Sequence, residues 1–123
     1  MANIIDLPSY TDDRGSLNVI EKVIPFDIKR IYWMYNITKS RGGHRHKQTR
    51  QALICLKGQC DVYINNGKTK HNFLLNESDK CLLVEPEDWH TLNHFSLDAI
   101  LLVLASHHFD KNDYIHEDYD HDK

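Results

Sequence analysis

The sequence predicts an all-β, single-domain protein with little helix, and three observations carry that expectation. Short β-branched or alternating runs recur along the chain, turn signals separate them, and no window of 12 or more residues places apolar side chains at i, i+3, i+4 and i+7 between caps. The runs are Ser16 to Ile20, Arg30 to Ile37, Gln51 to Leu56, Cys60 to Ile64, His71 to Leu75, Lys80 to Val84, Thr91 to Phe95 and Ile100 to Ala105, about eight strands. Turns are expected at Asp13-Arg14-Gly15, Arg41-Gly42-Gly43, Lys57-Gly58, Asn65-Asn66-Gly67, Asn76 to Asp79 and Glu85 to Asp88. Asn66-Gly67 between two strands reads as a hairpin, because both residues accept the positive φ that a tight turn demands. A sandwich or barrel follows.

With 123 residues the chain has the length of one domain, and 1–123 is taken as such, with an acidic tail over 108–123. Fifteen basic against eighteen acidic residues give a net charge of −3, which speaks against nucleic acid as a partner. The apolar run Ala99 to Ala105 falls far short of the ~20 residues that span a bilayer, so no membrane partner is expected. MANIIDLPSY carries no basic and apolar leader pattern, so the expected compartment is the cytoplasm. Three cysteines, Cys55, Cys60 and Cys81, show no CxxC spacing and are expected to be reduced and mostly buried. The tail carries six acidic residues from Asp110 onward and reads by composition as a solvated terminus. Phe109, Tyr114, Ile115 and Tyr119 offer the other reading, a tail clipped onto a surface.

Chemistry concentrates in Arg41-Gly42-Gly43-His44-Arg45-His46-Lys47. On extended backbone, residues two apart share a face, so His44 and His46 point the same way, as metal ligands or as an acid and base pair. Pro86-Glu87-Asp88-Trp89-His90 ends one strand and opens the next, which can turn His90 into the same pocket. Three imidazoles can bind a metal. The carboxylate such a centre usually recruits is missing where it would be sought, since Gln51 stands there, and metal-free acid/base chemistry is favoured. Trp89 is either a core or interface aromatic or a platform for a ring. Arg14, Arg30, Arg41, Arg45, Lys47 and Arg50 lie in the same half of the chain; Arg41 and Lys47 bracket the histidines, and a guanidinium there suits a phosphate. Tyr32 and Tyr35, three apart on a strand, take opposite faces, one free to stack or hydrogen-bond with a ligand.

The string from Arg41 to Lys47 followed by Gln51-Ala-Leu-Ile-Cys-Leu-Lys-Gly58 closely resembles the dTDP-sugar 3,4-ketoisomerases, whose pattern reads RGxHAHKxxxQxLxCxxG. Asp13 to Leu17, Pro25 to Tyr32, Trp89-His90 with Phe95-Ser96, Val103 to Ser106 and Phe109 to Ile115 resemble further blocks in the same order, over roughly residues 10 to 120. The resemblance implies a cupin jelly roll, a homodimer with exchanged N-terminal strands, and the substrate dTDP-4-keto-6-deoxy-D-glucose, whose keto group moves from C4 to C3 through an enediol. Protons move and no hydride does, so no cofactor is expected, in keeping with the lack of a GxGxxG motif. The catalytic pair carries over to His44 and His46, with His46 assigned as the C3 base. Arg14 in its block and His90 after the tryptophan resemble the galacto-forming members, where gluco-forming ones have Tyr and Arg. The implied product is dTDP-3-keto-6-deoxy-D-galactose, a precursor of an amino sugar of surface glycans. Arg14, Tyr32, Tyr35, Arg41, Lys47, Gln51 and His90 are the expected substrate contacts. Two departures stand out: Arg45 replaces an Ala, and His116 stands where an Arg is usual. Two rivals remain, a metal-dependent cupin using His44, His46 and His90, and a non-catalytic nucleotide-sugar binder.

Overall fold

A computed structural model describes residues 1–120 of the chain. Twelve strands form it: β1 Asn3–Asp6, β2 Ser9–Asp12, β3 Gly15–Asn18, β4 Arg30–Met34, β5 Arg41–His46, β6 Gln51–Lys57, β7 Cys60–Asn65, β8 Lys70–Leu75, β9 Lys80–Val84, β10 Trp89–Asn93, β11 Ile100–Ala105 and β12 Tyr114–Ile115. One 3₁₀ turn, Lys111–Asp113, precedes β12. Two five-stranded sheets of order β1-β9-β6-β11-β4 and β12-β5-β10-β7-β8 face each other, and β2-β3 forms a separate hairpin. Every pairing is antiparallel. This is the jelly-roll sandwich the sequence predicts.

The inner faces meet in a core of Leu53, Cys55, Leu101 and Val103 from one sheet against Cys60, Val62, Ile64 and Leu92 from the other. A second cluster lies on the outer face of the first sheet, where Ala52, Ile54, Cys81, Leu83 and Leu104 are covered by Val23, Ile24 and Phe26. β6 is therefore buried on both faces from Gln51 to Cys55, and its sequence is a continuous apolar run where a half-exposed strand would alternate. All three cysteines are buried. At the β6–β7 turn Gly58 adopts φ +71°, and a Cβ there would stand 2.2 Å from Ser96 Oγ and 3.0 Å from Ala99 Cα. No other residue fits that turn.

Where the expected strands differ, turn chemistry and pairing explain the difference. The expected turn at Arg41-Gly42-Gly43 is the first half of β5, because both glycines take positive φ (86° and 82°) inside a strand paired through a bulge with β10. β4 stops at Met34, with Asn36 at φ 52° ending the run expected to reach Ile37. The expected strand from Thr91 to Phe95 begins two residues earlier, at Trp89, and stops at Asn93 before His94 at φ 54°. β1, β2 and β12 lack strong β-branched runs and are held by their partners. The solvated-terminus reading of the tail is corrected: residues 109–120 are fastened to the barrel. His121, Asp122 and Lys123 lie outside the described residues.

Candidate active site

β5 runs between β12 and β10, and its register gathers the chemistry. His44 stands opposite His90, and His46 opposite Tyr114. Directly opposed residues share a face, so all four rings point between the sheets. The His44 ring centroid lies 4.9 Å from those of both His46 and His90. Tyr114 stacks on His44 at 4.4 Å and meets His46 edge-on at 4.8 Å. Gly42 permits this approach: a Cβ there would sit 2.9 Å from the His90 carbonyl oxygen and would push β10 away from β5.

With His46 behind them, the other three rings border a cavity of about 420 Å³ lined on one side by His44, His90, Tyr114 and His116 and on the other by Tyr32, Met34, Gln51, Leu53 and Val103, with Arg30, Arg41 and Phe109 completing it. Gln51 Nε2 donates to Tyr32 Oη at 3.2 Å. Burial raises the Tyr32 phenol above its usual range, so its proton stays in place. Arg30 lies over the rings of Tyr32 and Phe109, 4.3 and 5.3 Å from their centroids.

Burial, followed by the neighbouring imidazole of His90, pushes His44 down to about 4. Burial and then His44 do the same to His46, and burial alone dominates at His90, also about 4. The cluster is neutral at neutral pH, the state a base requires. His90 Nδ1 donates to the Asp88 carbonyl at 3.1 Å, because a carbonyl only accepts, and His44 is likewise tied to the Gly42 backbone. The neutral His90 ring thus carries its lone pair on Nε2.

This depression has a sign in stability. An unfolded histidine titrates near 6.5 and the folded ones near 4, so on acidification the unfolded chain takes up protons first. The contribution is complete above pH 6.5, is lost as pH falls toward 4, and amounts to on the order of 3 kcal/mol for each of these histidines taken singly. Denaturant midpoints measured across that window should fall steeply for the native chain. The loss should be visibly shallower for His44→Asn combined with His46→Asn.

The structure brings together His44, His46, His90, Tyr32, Gln51 and Arg41. It leaves three expected contacts outside the chain's own cavity. Tyr35 shares the outward face of β4 with Trp33 and is 62% exposed. Lys47 is exposed at the end of β5, and its backbone amide donates to the Asp113 carbonyl. Arg14 sits at the tip of the β2-β3 hairpin, paired with Asp12 at 2.6 Å with its side chain 86% exposed. Missed by sequence reasoning are Arg30, Phe109, Tyr114 and, as a cavity residue, His116. The aromatic spacing of the tail was the available signal for the last three. Trp89 is half-buried outside the two core clusters, and its Nε1 donates to the His116 carbonyl at 3.0 Å and holds the tail. Arg45 points away from the cavity onto Tyr119, 4.7 Å from the ring centroid, and Tyr119 rests on Gly67 and donates to the Glu87 carbonyl. Among the described residues, no group of three or more His, Cys, Asp or Glu side chains is gathered closely enough to hold a metal ion.

A jelly roll whose mouth is lined by histidines from adjacent strands defines a small cupin. The family description "WxcM-like, C-terminal" matches residues 1–123. The TDP-4-oxo-6-deoxy-alpha-D-glucose-3,4-oxoisomerase of Aneurinibacillus thermoaerophilus is 40% identical over 98% of this chain and 88% of its own. The TDP-quinovose 3,4-ketoisomerase of Campylobacter jejuni superposes with a TM-score of 0.90 at 38% identity, covering 94% of this chain and 92% of the other. A 3,4-ketoisomerase from Thermoanaerobacterium thermosaccharolyticum, solved with TDP as a double mutant replacing a Tyr by Arg and an Arg by His, gives 0.90 at 38% identity over 94% and 87%. The chain belongs to this WxcM-like family of TDP-sugar 3,4-ketoisomerases.

Proposed function

We propose that the protein converts dTDP-4-keto-6-deoxy-D-glucose to dTDP-3-keto-6-deoxy-D-galactose by histidine acid/base catalysis. The observation that carries this reading is the trio of neutral, closely spaced imidazoles at one wall of a sugar-sized cavity, His44 and His90 lining it and His46 directly behind His44. His46 removes the C3 proton, whose acidity the C4 carbonyl raises, and that carbonyl oxygen gains a proton to give the 3,4-enediol. The C3 hydroxyl then loses its proton through His44, C3 becomes the carbonyl, and C4 is reprotonated. Atoms and electrons balance without a redox partner.

The wall geometry supports the galacto product. In the gluco substrate the C3 hydrogen lies on the lower ring face, and returning a proton to C4 from that face leaves the C4 hydroxyl axial. All three imidazoles come from β5 and β10, hence from one side. The phenol on the opposite wall, Tyr32, is held protonated by burial and makes a poor C4 acid. Arg41 and Arg30 at the cavity rim suit the pyrophosphate. The placement of Arg14 rests on a homodimer with exchanged N-terminal strands. β1 pairs with β9 of its own chain, and the projecting β2-β3 hairpin, whose Tyr10 and Leu17 are exposed, is the part proposed to cross to the partner. Ile31 and Trp33 on the open edge strand β4, with Tyr35 just past its end, form a complementary apolar stripe.

The test is chelator-treated protein with dTDP-4-keto-6-deoxyglucose in deuterated water, with C3 and C4 followed by NMR. A 3-keto sugar with an axial C4 hydroxyl and deuterium at C4 is expected. An equatorial hydroxyl would overturn the galacto assignment, and bound ligand without C3 exchange would overturn the reaction.

A further inference from the structure

The acidic tail places one carboxylate where solvent does not reach it. Asp113 is buried, although its neighbours Lys111 and Asn112 are exposed. Its Oδ1 accepts from the amides of Lys47 and Gln48 at 3.1 and 2.8 Å, and its Oδ2 accepts from the Thr49 hydroxyl. The Lys47 amide also donates to the Asp113 carbonyl oxygen at 2.9 Å. From the other side Asp110 caps the 3₁₀ turn by accepting from the Asn112 amide at 2.9 Å. The carboxylate therefore ties the tail to the turn that joins β5 and β6. The next residue is Tyr114, whose ring stacks on His44.

We propose that Asp113 is a positioning residue for the isomerisation: its carboxylate, locked onto the β5–β6 turn, seats Tyr114 against His44 and His46 and holds a negative charge behind the imidazole pair. This rests on His44 and His46 being the proton-transfer pair.

Taking the C3 proton creates an imidazolium in a cavity that disfavours one. His44 is faced by His46 on its own strand, by His90 from β10, and by Tyr114 and His116 from the tail; Tyr32, Arg30 and Arg41 border the same cavity. Every one of these is neutral or cationic. Asp113 supplies the opposite sign. Burial pushes its carboxyl up, but the Thr49 hydroxyl, the Gln48 amide and nearby His46 outweigh that, and the net shift is downward, so it stays ionised. The face of the Tyr114 ring adds a second attraction for a cationic imidazole. Both act on the state formed during proton transfer and little on the bound substrate, the pattern that changes kcat and spares KM.

Asp113→Asn keeps the shape of the clamp and removes the charge. Its kcat should fall about ten-fold or more with KM within about two-fold, since one pKa unit corresponds to a factor of ten. The acid limb of its kcat profile should move to lower pH, and the imidazole carbon and nitrogen shifts of His44 and His46 should titrate lower in the same direction. A merely structural role would lower the melting temperature and leave the limb and the titrations where they are; a folded Asp113→Asn with both unmoved overturns the proposal. If Asp113→Asn does not fold, the Tyr114 variants decide: Tyr114→Leu should lose about ten-fold more activity than Tyr114→Phe with KM nearly unchanged, and equal activity of the two overturns the proposal. Failure of the underlying reading shows separately, as undiminished C3 exchange in His46→Asn.

Discussion

His46→Asn should lose about three orders of magnitude in kcat while still binding the sugar nucleotide. The reason lies in what the ring does and does not touch. His46 is buried on β5 behind His44, with Tyr114 across its edge, and does not line the open part of the cavity. Its loss removes a base and little contact area. Asn fills most of the space, accepts a hydrogen bond and cannot take up a proton at neutral pH. Wash-out of the C3 hydrogen into deuterated water should stop together with turnover. His44→Asn should differ: if His44 moves protons between the oxygens, C3 exchange persists at a reduced rate while net isomerisation fails. Equal loss of both signals in the two variants would erase the division of roles, and full activity in His46→Asn would remove the base assignment altogether.

The second large effect is in product configuration. Arg14→Tyr combined with His90→Arg should turn the C4 hydroxyl of the product from axial to equatorial, read as a change from a small to a large coupling between H4 and H5. His90 is buried directly opposite His44, and a guanidinium in its place alters which face of the enediol meets a proton donor. In the proposed homodimer the phenol at position 14 acts in the partner's cavity, since Arg14 sits exposed on the hairpin and does not line its own chain's cavity. A mixed dimer of Arg14→Tyr/His90→Arg with a His46→Asn chain separates the two contributions by subunit. An exclusively axial product from the double variant, with turnover intact, would refute the role of this pair.

Much of this site was legible in the sequence because strand periodicity is rigid. Residues two apart share a face, so His44 and His46 were bound to point together, and Tyr32 and Tyr35 were bound to part. The placing of His90 required only that the turn after Val84 reverse the chain. Other features had no local signature. The two glycines before His44 spell a turn, and only pairing with β10 makes them strand. Asp113 reads as one more surface acid, since its three donors lie more than 60 positions upstream. Arg30 was visible as a charge, yet nothing in its neighbourhood told which face of β4 it would occupy. The acidic count of the tail outweighed its aromatic spacing in a reading by composition, whereas Trp89, Arg45 and Gly67 supply contacts that fasten it.

The register of β5 carries a consequence for how the protein refolds. His44 meets His90 across one edge and His46 meets Tyr114 across the other, so the cluster needs partners separated by dozens of residues to be in place at once. Such non-local pairings are late and slow events for a chain, of order milliseconds to seconds. Formation of the β7–β8 hairpin, which is local, builds core without building a site. Recovery of activity after dilution from denaturant should therefore lag hairpin formation and coincide with the final spectroscopic phase, and a partly assembled barrel has no means of performing the chemistry.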